Sequence, residues 1–495
     1  MSSLGWSQLD VLFLEQNSYS RYEKNLYHPK QGNFHTSVRP YLRQDIDATN
    51  LNDTLPKILI YKYQDGSGFF TKNNLRITPL ISGEIGSADK TTLGYSGGVK
   101  IDASFKKFGF TGSYRFLNAP NFNYQDSLSY INDAVNGFGI NYLDTNGLAT
   151  HHAEFYLVFK PNKYFEMMAG NGQHFWGDGY RSVFLSDNAA PYPFFRLNST
   201  FWNVKYTNLF SMHRDDVYNG TSRKFAATHQ LSWNISKTVN FSIFESVVWS
   251  GYDTLIDRGF DINYVNPIIF YRPVEYFQGS TDNVFFGASS KWTIKNHHVL
   301  YGQLLLDEFL ISEIRAQNGW WANKYAIQFG LKSFDLGIDG LSAQAEWNMT
   351  RPFMYAHNIS LRNYGHAGQS LAHPLGASFE EVVLRTRYIR NKWNLSAKVI
   401  YQHRGEDFNN VSYGGNIFNS YVNRIGDYNF AIGDGETHYL WWNELSLHYL
   451  LSERLNINAF LTYAHRSDRY NGNHDRQNII RLGIQSSFWN RYEDY

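Results

Sequence analysis

One segment of this 495-residue chain places aromatic rings and polar side chains close together. Aromatic rings provide flat apolar faces on which a sugar can stack, and charged or amide groups provide directional hydrogen bonds to hydroxyls or to an acidic sugar's carboxylate. Within residues 175–193 we single out Trp176, Asp178, Tyr180, Arg181, Asp187 and Asn188. They are candidates for binding polysaccharide.

The same segment has the composition of a loop with a defined shape. Glycines at 177 and 179 permit positive φ and close backbone approach, whereas the prolines of Pro-Tyr-Pro (191–193) fix φ and oppose continuation of a strand. An alternative to sugar binding is that Asp178, Arg181 and Asp187 pair with one another and brace the loop in the interior of the molecule. Both interpretations stay open.

A tryptophan pair, Trp320 and Trp321, is a further candidate. The two rings could form a sugar platform, but tryptophans near the start of a strand are also typical of the aromatic girdle at a membrane interface. Asp307 and Glu308 follow an apolar run and are available for a cation or for loop bracing.

Motifs for catalysis are weak. Residues 94–98 (Gly-Tyr-Ser-Gly-Gly) match a nucleophile-elbow pattern, which requires a turn into a helix, whereas a strand pattern follows from Val99. His357, His366 and His373 fall in one connection with Glu380 and Glu381 nearby, and together they could bind a metal. Their spacing lacks the i, i+4 pattern of a helical metal site, and the chain has no cysteine. We therefore predict no enzyme activity, no cofactor and no metal.

The elements that must position these residues show a period of two. Apolar and polar residues alternate through Val99–Lys106, Phe108–Phe116, Leu341–Met349 and Asn394–Gln402. Only a β-strand sorts such residues onto opposite faces. The pattern predicts that the inward residues include Lys100, Asp102, Arg115, Glu346 and Lys398, and that the outward residues include Val99, Phe110 and Val399.

Composition favours a membrane barrel over a soluble β-sandwich, which would show the same alternation. Aromatic residues make up 17% of the chain, and mean hydropathy is only −0.44. Both values are typical of barrels in which every second residue faces lipid. The strands are about 9–11 residues long, which suffices to cross hydrocarbon when tilted. Unpaired edges are costly in lipid, so the strands must close.

The predicted fold is therefore all-β, a transmembrane outer-membrane antiparallel barrel of about 18 strands (16–18) with long extracellular loops. We assign residues 1–30 to a periplasmic or lumenal lead and 31–495 to the barrel. We predict long connections at about 174–200, 250–282, 307–323, 350–380 and 405–437, and a short amphipathic helix around 127–135. Because the first residues lack a basic start followed by an apolar core, we expect a processed or re-engineered start. The net charge of +1 indicates no nucleic-acid partner.

Several ordered blocks resemble a known family. The blocks are Phe175–Pro193, Tyr264–Glu275, Gly279–Asn283, Tyr301–Gln303, Asp307–Phe309, Trp320–Lys324, Arg351–Pro352, Leu371–Ala377 and Asn490–Tyr495. The first resembles the Trp-Gly-x-Gly element of the Wzi family of capsule-assembly outer-membrane proteins. The second is similar to the branch found in Bacteroidetes, which includes the gliding-motility protein RemB. Within it, Arg272 and Glu275 are further candidates for polysaccharide binding or loop bracing.

The resemblance implies a large barrel that binds exopolysaccharide at the cell surface and helps to anchor the capsule. We predict a monomeric barrel that attaches surface polysaccharide or serves gliding, with outer-membrane lipid and other envelope proteins as further partners. The alternatives are a channel, because barrels of 16–18 strands leave an aqueous lumen unless it is filled, and an accessory subunit of an envelope or secretion complex. The chain departs from the enterobacterial pattern in lacking a predicted multi-helix periplasmic bundle.

Overall fold

A computed structural model describes most of the chain. The described residues are 9–29, 33–47, 70–72, 75–88, 91–119, 134–135, 139–140, 142–144, 147–215, 223–252, 258–266, 282–409, 411–452, 455–486, 490 and 492–495. Among them, no helix is both long and apolar enough to cross a membrane.

Eighteen long strands of the described chain form a closed antiparallel barrel. They are β1 (Leu75–Ser87), β2 (Thr91–Phe105), β3 (Phe108–Ala119), β4 (Gly147–Phe159), β5 (Phe165–Gly172), β6 (Tyr192–Phe201), β7 (Val204–Arg214), β8 (Arg223–Asn234), β9 (Val239–Ser250), β10 (Asn283–Ile294), β11 (His298–Leu306), β12 (Tyr325–Phe334), β13 (Leu341–Thr350), β14 (Phe379–Arg390), β15 (Trp393–Glu406), β16 (Glu436–Ser452), β17 (Ile457–Tyr470) and β18 (Asn473–Ser486). Each strand pairs with its neighbour in sequence, and β18 closes the barrel by pairing with β1. The predicted fold class and the predicted count of about 18 strands are confirmed.

The predicted register is also confirmed. Lys100 is 5% exposed and Val99 is 36% exposed, although the two residues are adjacent in the chain. The outer face carries apolar side chains such as Leu482 and Leu157, which are more than half exposed in the isolated molecule. A barrel with this outer face and a polar interior has the surface that lipid requires.

The connections differ in length between the two ends of the barrel. At one end, which we call the short-turn end, the strands are joined by turns such as 106–107, 202–203 and 391–392. At the other end, the long-loop end, residues 307–324, 351–378 and 407–435 connect strands. The connections predicted at about 307–323, 350–380 and 405–437 agree with these. The one predicted at about 250–282 lies largely outside the described residues, and the one predicted at 174–200 differs.

That connection is shorter than predicted, because residues 192–201 form strand β6. The two prolines suggested that no strand could begin there. Pro193 lies at the start of β6, opposite Asn171, and a proline is tolerated at that end of a strand. Most of the predicted helix at 127–135 lies outside the described residues, and its last two residues form a short strand with Gly139–Ile140.

The N-terminal part of the described chain lies inside the barrel. Helix α1 (Gln16–Leu26) and the short helix α2 (Arg43–Asp47) belong to this segment. The backbone N–H of Val11 donates to Thr111 Oγ1 on the inner face of β3, and Glu23 pairs with Lys332 of β12. The boundary predicted at residue 30 lies outside the described residues. We call residues 9–29 and 33–47 the interior segment.

Candidate functional site

The connection between β5 and β6, residues 173–191, folds into the barrel. Its short strand Phe175–Trp176 pairs with Val38–Arg39 of the interior segment, and Trp176 N–H donates to Leu185 O. Gly177 has φ +152°, a value that residues with a side chain rarely adopt. Its N–H donates to Ser37 O. The predicted loop is therefore held inside the barrel by main-chain pairing. We call residues 173–191 the inner loop.

The two aromatic candidates of the inner loop are buried. Trp176 has no exposed surface, and its ring meets Phe244 edge-on with 6.0 Å between centroids. Tyr180 is 5% exposed, and its hydroxyl donates to Asp494 Oδ2 at 2.5 Å. In this conformation neither ring offers a free face to a sugar.

Arg181 lies at the centre of a buried ionic network. Its Nη2 is 3.2 Å from Glu381 Oε1 and 3.0 Å from Asp494 Oδ1, and all three side chains are almost inaccessible to solvent. Gln402 Nε2 donates to Glu381 Oε1 at 3.0 Å and to the main-chain O of Asp494 at 3.1 Å. His373 Nε2 lies 2.8 Å from Glu381 Oε2. The network joins the inner loop, the wall of the barrel and residues 492–495.

A second cation completes the surroundings of Asp494. Lys398 Nζ lies 2.8 Å from Asp494 Oδ2 and 3.1 Å from Glu444 Oε2. Arg181 and Lys398 thus both pair with the carboxylate of Asp494. This arrangement compensates much of the cost of burying the charge.

Glu346 of β13 holds the backbone of the inner loop. Its carboxylate accepts from the N–H groups of Tyr180 and Arg181, at 2.7 and 3.0 Å. Tyr301 Oη donates to the same carboxylate at 2.6 Å, and Gln328 Nε2 donates to Arg181 O at 2.8 Å. Glu346, one of the predicted inward residues that would line an open channel, therefore binds the inner loop.

The acidic residues of the inner loop pair with the rest of the chain. Asp178 Oδ1 accepts from Tyr27 Oη at 3.0 Å and from Thr36 Oγ1 at 2.5 Å, both in the interior segment. Asp187 accepts from Tyr492 Oη at 2.6 Å. One sequence-based alternative was that Asp178, Arg181 and Asp187 pair with one another. These contacts instead join Asp178 and Asp187 to residues outside the inner loop.

The remaining inner-loop candidate, Asn188, also has a bracing contact. Its Nδ2 donates to Ser370 O at 3.0 Å in the connection between β13 and β14. In the same region Ser186 N–H donates to Leu371 O at 2.8 Å. Two inward-folded connections therefore hold each other at the long-loop end.

The opposite charges of Arg181 and Asp494 favour the charged form of each group. Burial alone would lower the pKa of Arg181, but the charges of Asp494 and Glu381 outweigh it and raise that pKa. Burial alone would raise the pKa of Asp494, but Arg181 and Lys398 outweigh it and lower that pKa. Burial and the charge of Asp494 raise the pKa of Tyr180 to about 12, so its hydroxyl stays protonated and donates.

A different aromatic cluster is accessible at the long-loop end. Trp320 and Trp321 are half-buried in the connection between β11 and β12. Trp321 contacts two residues of the connection between β15 and β16. Its ring centroid is 4.6 Å from that of Tyr421 and 4.1 Å from the Arg424 guanidinium. Trp321 N–H also donates to Asp427 O at 3.0 Å, which joins the two connections. We call Trp320, Trp321, Tyr421 and Arg424 the outer aromatic cluster.

Sequence reasoning named the two tryptophans but missed their partners. Tyr421 and Arg424 lie about a hundred residues further along the chain, and no local pattern joins them to Trp321. The network around Arg181 was missed in the same way, since Asp494 was named only within a family block.

The other candidates are placed as follows. Arg272 and Glu275 lie outside the described residues. Ser96 of the elbow-like motif is within β2, and its hydroxyl bonds to Ser82 Oγ at 2.6 Å. Within the described ranges, no three His, Cys, Asp or Glu side chains are grouped to hold a metal ion. Asp307 is buried beside Lys324, whose Nζ is 3.1 Å from its Oδ1.

The closed antiparallel barrel, with an apolar outer face and a polar interior, defines a protein of the outer-membrane β-barrel class. No protein-family model and no curated sequence matches the chain.

Among solved structures the chain is similar to Wzi of Escherichia coli, described as an outer-membrane protein involved in group 1 capsule assembly and a carbohydrate-binding β-barrel. That match has a TM-score of 0.63 and 14% identity, and it covers 97% of this chain and 100% of that chain. OprD of Pseudomonas aeruginosa matches with a TM-score of 0.43 and 10% identity over 84% of this chain and 98% of that chain. OccAB2 of Acinetobacter baumannii matches with a TM-score of 0.45 and 10% identity over 83% of this chain and 97% of that chain. The likeness to Wzi shows a shared barrel fold.

Proposed function

We propose that this protein is a monomeric outer-membrane barrel that holds acidic exopolysaccharide at the cell surface, in capsule attachment or in gliding. The observation that carries the proposal is the outer aromatic cluster, at the long-loop end of a barrel whose interior is occupied by its own chain. Long loops of outer-membrane barrels face the exterior. The cluster would therefore meet polymer outside the cell.

The cluster has parts suited to weak sugar binding. Trp321 contacts Tyr421 and Arg424, and the half-buried Trp320 lies beside it at 6.3 Å between ring centroids. Tryptophan provides a large rigid face at little cost in conformational entropy. A repeating polymer can engage many such barrels at once, so retention arises by multivalency even where each contact is weak.

The channel alternative is disfavoured by the filling of the barrel. The interior segment, the inner loop and residues 492–495 occupy the lumen and bond to its wall. An open aqueous path of the porin kind needs an unfilled lumen. No enzymatic role is proposed.

The second candidate function is that of an accessory subunit of an envelope complex. Exposed apolar side chains favour this function. Apolar side chains are exposed on the described connections of the long-loop end: Ile262, Phe309, Leu310, Ile311, Val422 and Ile425. Exposed apolar patches are characteristic of interaction surfaces. Purification of the intact protein with or without stoichiometric partners decides between a lone anchor and a subunit.

The test of polysaccharide binding is Trp320→Ala, with Trp202→Ala as its matched control. Trp202 is 89% exposed in the turn 202–203 at the short-turn end, so its removal tests the loss of an exposed tryptophan far from the outer aromatic cluster. We expect the Trp320 variant to retain less acidic exopolysaccharide on whole cells, and the Trp202 variant to behave as wild type. Equal retention by both variants, with equal barrel assembly, contradicts the proposal.

A further inference from the structure

A polar chamber of about 200 Å³ lies inside the barrel. Residues of the interior segment, among them Gln16, line one part of the chamber, and most of the other lining residues belong to the barrel wall. Gln485 and Ser486 at the end of β18, and His448 near the end of β16, place it toward the short-turn end. Tyr180 of the inner loop reaches the same chamber from the opposite direction.

Basic side chains outnumber acidic ones around this chamber. The basic lining residues are Arg115, Lys332, Arg385, Arg387, Lys398 and Arg481. The acidic lining residues are Glu15, Glu23 and Glu444. A cleft lined by an excess of basic groups attracts anions, because its low-dielectric walls focus the electric field into the cleft.

Most of the acidic charge in and around the chamber is already paired. Glu23 lies 2.5 Å from Lys332 Nζ, and Glu444 lies 3.1 Å from Lys398 Nζ. Arg481 Nη1 lies 2.7 Å from Oε2 of Glu493, which does not line the chamber. Three of the six basic lining residues are therefore paired with carboxylates.

Arg385 is the group best placed to receive a ligand. Its Nη1 donates to the neutral Gln344 Oε1 at 3.3 Å, and its guanidinium lies 4.2 Å from the centroid of the Tyr180 ring. Among the described residues Arg385 has no carboxylate partner within 4.0 Å. Stacking on Tyr180 restricts the guanidinium while most of its five N–H donors stay uncommitted. Arg387, two residues along the same inward face of β14, lines the chamber beside it.

We propose that this chamber is a binding site for a small oxyanion, a carboxylate or a phosphate group, with Arg385 as its principal ligand-binding residue. A planar guanidinium binds both groups through paired hydrogen bonds. The volume is below the range of about 300–1,000 Å³ typical of drug-sized ligands, so the ligand is a free anion or a single acidic sugar unit. The inference does not rest on the proposed function, because it concerns the opposite end of the barrel from the outer aromatic cluster.

Equilibrium dialysis of the purified full-length protein tests the site. Inorganic phosphate and glucuronate are the two probes, and neutral glucose is the comparison. We expect saturable binding of one or both anions at one site per chain, with no binding of glucose at the same concentrations. Binding of phosphate alone identifies a phosphate-bearing ligand, and binding of glucuronate alone identifies an acidic sugar.

Arg385→Gln is the diagnostic variant, and Arg390→Gln on the same strand is its matched control. Arg390 is exposed at the end of β14 and does not line the chamber. We expect Arg385→Gln to weaken anion binding by about tenfold or more and Arg390→Gln to leave it unchanged. Wild-type protein that binds neither anion, or an assembled Arg385→Gln variant with wild-type affinity, overturns the proposal. Should that variant fail to assemble, the comparison of anions with glucose on wild-type protein still decides. Trp320→Ala should bind these anions normally, which separates this site from polysaccharide retention.

Discussion

Arg181 and Asp494 form a buried ion pair, with 3.0 Å between Nη2 and Oδ1, although 313 residues separate them in the chain. Arg181 belongs to a loop that enters the barrel between β5 and β6, and Asp494 follows the last strand. Their contact joins a connection of the long-loop end to a segment that follows β18. Variants that break this ion pair therefore test whether the inner loop and the C-terminal residues meet inside the barrel.

Arg181→Ala should destabilise the protein by about 3–5 kcal/mol, because it leaves Glu381 and Asp494 buried without their shared cation. Urea unfolding in detergent micelles measures the change. Arg390→Ala, at an exposed position, should cost less than about 1 kcal/mol. The double variant R181A/D494A should be more stable than the sum of the single losses predicts. Additive losses would show that the two groups do not interact.

Trp176→Ala should cost about 3–5 kcal/mol, because the side chain is fully buried against Phe244 and its removal leaves a cavity. Trp202→Ala should leave stability almost unchanged, since that ring is exposed. Thermal unfolding of both variants under one set of conditions provides the measurement. Equal melting temperatures would place Trp176 outside the packed interior.

The intact protein should show small or no steady conductance in planar bilayers, because chain segments fill the lumen. A variant that lacks residues 9–47 should conduct measurably, since this deletion removes the contacts of α1 and of Val11 with the barrel wall. Large persistent currents from the intact protein would favour the channel alternative. A silent deletion variant that assembles normally would show that the inner loop alone closes the lumen.

The pH dependence of the 307–324 connection should report on Asp307. Burial raises the pKa of Asp307 to about 7, although Lys324 opposes the rise. Because the folded pKa exceeds the unfolded value of 3.8, protonation stabilises the folded connection. That stabilisation is complete below about pH 4 and is lost as pH rises through about 7.

Hydrogen exchange of backbone amides in 307–324 measures this effect. Protection should fall between pH 5 and pH 8 after correction for the intrinsic exchange rate. Asp307→Asn cannot ionise and serves as the control, so its protection should change less over the same interval. Identical pH profiles for wild type and variant would assign the dependence to other groups.

Local sequence patterns determined which residues face outward and roughly how many strands there are. The alternation around Lys100 and Val99 predicts their opposite faces, because successive side chains of a strand point in opposite directions whatever the rest of the molecule does. The long connections were predictable for a similar reason, since the strand pattern stops where they begin. The exception was residues 192–201, where two prolines concealed the start of a strand.

Only the tertiary structure decided what the polar and aromatic residues of the connections do. A tryptophan such as Trp176 can serve either as a platform for a sugar or as a residue of the hydrophobic core. Because its loop folds inward, Trp176 is part of the core. Trp320 has the same side chain, and it stays half-buried because its connection lies at the long-loop end and does not fold into the barrel as the inner loop does. Arg181 could have paired with Asp178 or Asp187 nearby. Its actual partners, Glu381 and Asp494, come together only when the barrel closes and its interior fills, and such non-local contacts leave no periodic signal in the sequence.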